Sequence, residues 1–212
     1  DMKCFFASVE CAERGLNPMN TPLLVADPVR GKGALCLAVS PYLKQLGVKN
    51  RCRLYDIPNH IPYITAKPRM KKYIEYAVLI HRIFLRFVEA SDIHTYSIDE
   101  AFIDVSDYLH LYNGVSDIAF RIMRSIKEEL GITSTCGAGE NLFLAKISLD
   151  LLSKNKYPYF HFLSLEEFYN KVWYHKNLKD IWQIGNGIQK RLHRMGIYTL
   201  HDLAMTDVEI LK

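Results

Sequence analysis

Hydrophobic residues fall in short runs over the early part of the chain and take up a three- and four-residue period beyond it. The runs at 23–27 (LLVAD) and 34–39 (ALCLAV) are separated by the turn-prone, basic stretch Pro28-Val29-Arg30-Gly31-Lys32-Gly33. That pattern predicts two strands joined as a small hairpin with a cationic tip. Ser40 then stands as an N-cap, Pro41 at the first helical position and Gly47 past the last, so residues 40–46 should form a short helix whose one charge is Lys44. Pro58 and Pro62 forbid a long regular element between 53 and 67, which reads as an irregular connection with a boundary just after it.

From 69 to 90 the apolar residues Ile74, Ala77, Val78, Ile80, Phe84, Phe87 and Val88 recur at helical spacing, with Lys71, Lys72, Arg82 and Arg86 between them. One face of this helix should be core and the other wet. Residues 94–98 and 101–105 are β-rich and flank Asp99-Glu100, which places two adjacent carboxylates at a hairpin turn or the adjoining strand ends. A helix at 116–130 ended by Gly131, a strand at 132–136 and a helix from Asn141 to about 153 follow. This order predicts an α+β architecture, an antiparallel sheet with helices on one face. The last fifty residues change character. Ser164-Leu165-Glu166-Glu167 has the form of a capping box, Thr199-x-x-Asp202 and Thr206-x-x-Glu209 resemble it, and the segments between should be helices of about two turns forming a small subdomain.

Composition narrows the class. The 212 residues are 49% hydrophobic, 24% charged and 12% aromatic, which excludes disorder for most of the chain. At roughly 150 residues per domain the length predicts one large domain or two modest ones. The net charge of +4 permits a polyanionic partner without requiring one. No apolar run approaches the roughly 18 residues that span a bilayer, and the start, DMKCFFASVE, carries no export signal, so no membrane partner is expected. Cys4, Cys11, Cys36, Cys52 and Cys136 are odd in number and lack metal or disulfide-framework spacing. They read as reduced packing thiols of a cytoplasmic protein.

Asp99-Glu100 is the most informative pair. Adjacent carboxylates at a strand end repel each other, and a divalent cation would remove that cost. Asp1, followed by the aromatic and small-residue stretch Cys4-Phe5-Phe6-Ala7-Ser8-Val9-Glu10, could complete a metal cluster from a separate element. Mg²⁺ takes a few carboxylates together with waters and substrate phosphates, and paired ions about 3.5 to 4 Å apart are the device of nucleotidyl transfer. Against this stands the plain reading of a solvated turn. Glu10 could equally be structural, and Asp104 reads as structural.

Asp1-x-x-x-Phe5-Phe6-Ala7-x-Val9-Glu10 together with Ser97-Ile98-Asp99-Glu100-Ala101-Phe102-Ile103-Asp104 resembles the Y-family translesion DNA polymerases. The segment Ser40-Pro41…Lys44…Leu46-Gly47-Val48 is similar to their UmuC/ImpB-like branch. Gly137-Ala138-Gly139…Leu144-Ala145-Lys146 and Ile184-Gly185-Asn186-Gly187 extend the resemblance over nearly the whole chain. It implies a right hand: a ferredoxin-like palm from 1–13 and 69–160, small fingers from 14–68, and a helical thumb from 161–212 in which the chain ends, without the separate little finger. Residues before Asp1 and after Lys212 are expected in the natural protein.

The resemblance further implies that Asp1, Asp99 and Glu100 are catalytic and, with the Met2 backbone carbonyl, bind two Mg²⁺ ions, Mn²⁺ being the alternative. Amides near Phe5 and Phe6 would cradle the triphosphate, and Phe6 would be a steric gate against the ribose 2′-hydroxyl. Lys44 and Lys154 would contact phosphates, although Pro41 stands where many relatives carry Tyr. Gly185, Gly187, Lys190 and Arg191 read as a helix-hairpin-helix gripping DNA backbone, the alternative being an ordinary interhelical turn. The implied function is template-directed, low-fidelity addition of deoxynucleoside triphosphates to primer-template DNA, in translesion synthesis and DNA repair. A sliding clamp is a partner that would act through C-terminal segments beyond this chain. The alternatives are a catalytically silent DNA-binding module of the same fold, or a nucleotidyl cyclase with a palm-like domain.

Overall fold

The structure, a computed structural model, describes residues 1–211, and the chain divides into a first unit, Asp1–Ser134, and a second that begins at Thr135. The division falls inside the segment 69–160 expected to be palm, before the expected thumb begins.

In the first unit, Met2 and Lys3 lie between two other segments and bond to both. The Met2 N–H donates to the Asp99 carbonyl at 2.9 Å, the Lys3 N–H to the Thr133 carbonyl at 2.9 Å, and Met2 forms an antiparallel bridge with Ser134. Helix α1 (Phe5–Ala12) follows at once, entered through Cys4 at φ 52°, a left-handed conformation that costs a non-glycine residue about 1 kcal/mol. Strand β1 (Leu23–Val25) pairs antiparallel with β2 (Ala38–Val39), Leu24 opposite Val39, and the intervening basic stretch forms the tip, as the hydrophobic pattern predicts. Ser40 caps α2 (Pro41–Gln45) by accepting from the Leu43 N–H at 3.2 Å.

Strand β3 (Ile64–Ala66) lies in the stretch expected to be irregular and pairs parallel with β1, Leu24 opposite Thr65. It follows Pro62 closely and leaves Ile64 exposed, so no alternation marks it; pairing with β1 creates it. Strand β1 is buried on both faces, with Leu23 and Val25 in one core and Leu24 in another with Cys36, Val39, Leu43, Val48, Ile57 and Ile61.

Helix α3 (Met70–Phe84) is shorter than its periodicity predicts. Past Phe84 the backbone tightens into three-residue turns, Arg86 N–H to Ile83 and Phe87 N–H to Phe84, that keep Phe84 and Val88 buried. Strands β4 (Ile93–Thr95) and β5 (Ala101–Ile103) pair antiparallel, Ile93 opposite Ile103, with Asp99-Glu100 in the connection, as expected. Asp104 lies just past β5 and accepts from the Ser106 N–H and hydroxyl, closing a turn, which agrees with a structural role. Helix α4 (Val115–Leu130) ends at Gly131, φ 70°, the left-handed terminus that glycine adopts without strain. Helices α1, α3 and α4 bury Phe5, Val9, Tyr73, Ile80, Ile118 and Ile126 in one core.

In the second unit, β6 (Cys136–Gly139) pairs with β7 (Phe160–Leu163), and the pairing is parallel, not antiparallel as the sequence order suggests. Helix α5 (Leu142–Ile147), capped by Asn141, and a π-helical turn at Ser148–Ser153 make the crossover that a parallel pair requires. Gly137 and Gly139 let α5 approach: a Cβ on Gly137 would stand 2.1 Å from the Leu149 nitrogen, and one on Gly139 2.6 Å from the Leu144 Cβ. Helices α6 (Leu165–Lys171), α7 (Asn186–Arg194), α8 (Leu200–Met205) and α9 (Val208–Leu211) complete the unit. Leu144, Ile147 and Leu163 share one core with Phe168, Val172, Leu178, Leu192 and Leu200, which joins α5 and β7 to the helical tail.

Ser164 caps α6 and Thr199 closes a reciprocal capping box with Asp202. Thr206 does not cap α9. Its hydroxyl donates to the Asp202 carbonyl at 2.7 Å, and Asp207 accepts from the Glu209 N–H instead.

Candidate active site

Backbone pairing brings the two acidic segments of the first unit together. Because Met2 N–H bonds the Asp99 carbonyl, Asp1 and the Asp99-Glu100 pair lie on neighbouring chain segments, all three half-buried. The Ser97 hydroxyl donates to Asp99 Oδ1 at 2.8 Å, and the Tyr96 and Ser97 amides both bond the Glu100 carbonyl, which closes the turn. Among the described residues no three His, Cys, Asp or Glu side chains are already grouped as a metal site. The donor chemistry nevertheless suits a hard cation: carboxylate oxygens from two chain segments, supplemented by backbone carbonyl oxygen.

Phe5 and Phe6 open α1. The first intrahelical bond runs from the Ser8 N–H to the Cys4 carbonyl at 2.9 Å, so the amides of Phe5, Phe6 and Ala7 lie at the positive end of the helix. Phe5 is buried, whereas Phe6 is half-exposed and stacks on Tyr73, centroids 4.4 Å apart and planes at 14°. Lys44 lies exposed in the last turn of α2.

Helix α1 also carries Glu10, which the sequence leaves open between a metal-site and a structural role. Glu10 is fully buried and is held by Arg69, with Nε to Oε1 at 3.0 Å and Nη2 to Oε2 at 2.9 Å. The Tyr73 hydroxyl donates to Oε1 at 2.9 Å, and Arg14 pairs with Oε2. Burial would raise the Glu10 pKa, but the hydrogen bonds from Arg69, Arg14 and Tyr73 outweigh it and hold the carboxyl below its ordinary 4.5. Burial, with Glu10 alongside, pushes the Tyr73 hydroxyl well above the usual phenol range. The spacings Phe6/Glu10 and Arg69/Tyr73, each four residues, were the available signal, since four-apart positions share a helix face.

A stability prediction follows from the lowered carboxyl. Stabilisation by ionised Glu10 is complete above pH 4.5, its unfolded value, and is lost as pH falls through the lower folded value. Thermal melts from pH 7 to pH 3 should therefore show a steeper acid-side fall for the native protein than for Glu10→Gln, whose penalty shrinks as the native carboxyl protonates. Parallel curves would exclude Glu10 as an acid-sensitive element.

The second unit carries the remaining candidates. Lys154 follows the π-helical turn, its Nζ 3.6 Å from Asp150, and Lys146, nearly buried, lies 3.3 Å from the same carboxylate. The Lys154 N–H bonds the Leu149 carbonyl, five residues back, so the turn advances the register by one relative to an α-helix. Gly185 caps α7 and Gly187 lies in its first turn, with Lys190 and Arg191 further along the same helix. A Cβ at Gly185 or Gly187 would meet nothing within 4 Å, so neither glycine is demanded by packing within the chain.

All five cysteines are free. Burial, reinforced by Cys52, pushes the Cys36 thiol up to about 12, and burial pushes Cys11 up to about 11, so neither is a ready nucleophile. Among the described residues no helix is long and apolar enough to cross a membrane.

A bridged N-terminal segment thus leads through the left-handed Cys4 into α1, with Asp1 at its start and Asp99-Glu100 on the adjoining hairpin. The chain belongs to the impB/mucB/samB family, whose description matches residues 1–150. It is 37% identical over 213 residues to the "Putative UV-damage repair protein UvrX" of Bacillus subtilis (strain 168), covering 100% of this chain and 50% of that protein. It is 33% identical over 215 residues to "DNA polymerase IV 2" of the same organism, covering 100% of this chain and 51% of that one. Its fold matches the "Insertion ternary complex of Dbh DNA polymerase" with a TM-score of 0.83 and 26% identity, over 100% of this chain and 60% of that one. The chain thus spans about half the length of the curated relatives it matches.

Proposed function

We propose that this chain is the catalytic portion of a translesion DNA polymerase that adds deoxynucleotides to a primer 3′ end on a DNA template. The observation that carries this reading is the bond from Met2 N–H to the Asp99 carbonyl, which sets Asp1 beside Asp99-Glu100 across two chain segments. Asp1, Asp99, Glu100 and the Met2 carbonyl would hold two Mg²⁺ ions, or Mn²⁺ in their place. When bound, the metal supplies positive charge that acidifies the primer 3′-hydroxyl and neutralises the departing pyrophosphate. The amides of Phe5 and Phe6, at the positive end of α1, hold the triphosphate, and Lys44 adds charge to it; Lys154 is the phosphate-contacting candidate of the second unit. No side-chain nucleophile is needed, because the primer oxygen attacks the α-phosphorus directly. Segments 1–13 and 69–160 act as palm, 14–68 as fingers and 161–212 as thumb.

Templated incorporation of a single labelled nucleotide onto a primer tests the reading against a silent DNA-binding module and a nucleotidyl cyclase. Extension that follows the template base is expected. DNA binding without extension, or a cyclic nucleotide product, would overturn it.

Phe6 fills the space that a ribose 2′-hydroxyl would need, so Phe6→Ala should raise ribonucleotide relative to deoxyribonucleotide insertion by about a hundredfold, the equivalent of ~3 kcal/mol. Single-nucleotide insertion kinetics read this ratio directly, and an unchanged ratio would return Phe6 to a packing role.

On α7, Gly185 and Gly187 leave room for a phosphate to approach the helix N-terminus, while Lys190 and Arg191 add sequence-independent charge. Neutralising both basic residues should weaken DNA binding equally across sequences and flatten its salt dependence by about one unit of slope per lost contact. A slope that does not move would leave α7 as an ordinary interhelical element. The primer-template and the deoxynucleoside triphosphates are the partners this reading requires; a sliding clamp would be reached through segments outside this chain.

A further inference from the structure

Two helices of the first unit meet through two interlocked pairs of side chains. On α1, Phe6 and Glu10 are four residues apart and share a face; on and just before α3, Arg69 and Tyr73 are spaced the same way. Phe6 stacks on Tyr73, centroids 4.4 Å apart, while Glu10 takes two parallel hydrogen bonds from Arg69 at 3.0 and 2.9 Å. The Tyr73 hydroxyl crosses from the aromatic pair to the ionic one, donating to Glu10 Oε1 at 2.9 Å, the same oxygen that Arg69 Nε bonds. Glu10 and Tyr73 are both fully buried. The ring of Tyr73 is therefore held at its hydroxyl end by a charge and offers its face to Phe6.

We infer that Glu10, Arg69 and Tyr73 are positioning residues for sugar discrimination: the buried ion pair fixes Tyr73, and Tyr73 fixes the plane and height of the Phe6 ring. The inference rests on the gate reading of Phe6 above. A fully buried carboxylate is costly unless it is paired and hydrogen-bonded, and packing alone could be met by an apolar residue in its place. What an apolar residue could not do is orient a tyrosine hydroxyl and two guanidinium nitrogens at once. One turn further along, Glu13 repeats the pattern with Tyr76 at 2.9 Å, but there the hydrogen bond lies at the surface and no ring of α1 stacks on the tyrosine. Among the described residues the arrangement is thus complete only beneath Phe6. A gate that excludes one oxygen atom works only if its ring is placed to a fraction of an ångström, and displacement by about 1 Å is enough to change a rate a hundredfold.

The test is a double-mutant cycle read as the ratio of ribonucleotide to deoxyribonucleotide insertion. Tyr73→Phe keeps the ring and removes the anchor; Arg69→Met keeps the stem and removes the clamp. Each should raise the ratio about tenfold while deoxyribonucleotide kcat changes by no more than a few-fold. Arg69→Lys should restore part of the discrimination lost in Arg69→Met. In a Phe6→Ala background neither change should alter the ratio further, because residues acting through the ring have nothing left to position. Thermal melts confirm that each variant is folded at the assay temperature, and Tyr73→Phe, which conserves the ring, keeps the test available if Arg69→Met unfolds. If Phe6→Ala raises the ratio but Tyr73→Phe, and Arg69→Met where it folds, leave it at the native value, the positioning role is wrong and the gate stands. Equal effects with and without the Phe6 ring would also overturn it. If Phe6→Ala itself leaves the ratio unchanged, the gate reading fails first and this inference with it.

Discussion

Asp99→Asn or Glu100→Gln is expected to lower metal-dependent nucleotide insertion by about a thousandfold or more while leaving the melting temperature within a degree or two of the native protein. The rate follows from the role given to the carboxylates: a bound divalent cation contributes several kcal/mol of transition-state charge stabilisation, and each 1.4 kcal/mol is about a tenfold change in rate. The stability follows from their surroundings. Both side chains are half-exposed on a turn closed by backbone bonds from Tyr96 and Ser97 to the Glu100 carbonyl, which neither substitution removes. Removing one of two adjacent negative charges relieves repulsion. Primer extension over a magnesium titration, with a parallel thermal melt, checks both halves. Near-native rates at saturating magnesium would remove the carboxylates from the reaction, and a large loss of stability would make them structural.

The largest effect on folding is expected at Gly137. A methyl group there would lie 2.1 Å from the Leu149 nitrogen, 2.4 Å from the Ala145 carbonyl oxygen and 2.6 Å from the Leu149 Cα, all backbone atoms that cannot rotate away. Gly137→Ala must push the α5 crossover off β6 and so open the core of Leu144, Ile147 and Leu163. The cost should reach about 3 kcal/mol or more, the upper end of what overpacking exacts. Gly185→Ala and Gly187→Ala, where a Cβ meets nothing within 4 Å, are the contrast: the fold should be unaffected, and only DNA affinity should fall. Chemical denaturation distinguishes the two classes. A Gly137→Ala protein as stable as the native would mean that β6 and α5 separate more readily than their packing implies.

Elements that announce themselves by local chemistry were legible in the sequence. Ser40, Asn141, Ser164 and Thr199 cap helices because their side-chain oxygens satisfy amides three residues on, a requirement met within one turn and independent of the rest of the chain. Gly131 ends α4 for an equally local reason, its left-handed φ. The hairpin carrying Asp99-Glu100 was visible because its strands are β-branched and aromatic on either side of charge. Asp1, Phe5 and Phe6 could be singled out only through the resemblance of their spacing to a family, since nothing in their own chemistry separates them from a core stretch.

Other features were decided by long-range pairing. Strand β3 exists because β1 offers it a free edge, and the parallel partnership of β6 and β7 depends on a crossover through α5 and the π-helical turn at Ser148–Ser153, which the apolar periodicity reads as uninterrupted helix. The stretch predicted as one strand at 132–136 is divided, Ser134 bridging Met2 while regular β6 begins only at Cys136. The division of the chain at Ser134/Thr135 follows from which apolar residues share a core, and no composition shift marks it. Above all, the sequence determined that Glu10 is a carboxylate four residues from Phe6, but not that it is buried. Burial of a charge is tolerable only where partners converge on it, and Arg69 and Tyr73 come from about sixty residues away in the chain, on a helix whose approach to α1 is a property of the folded core.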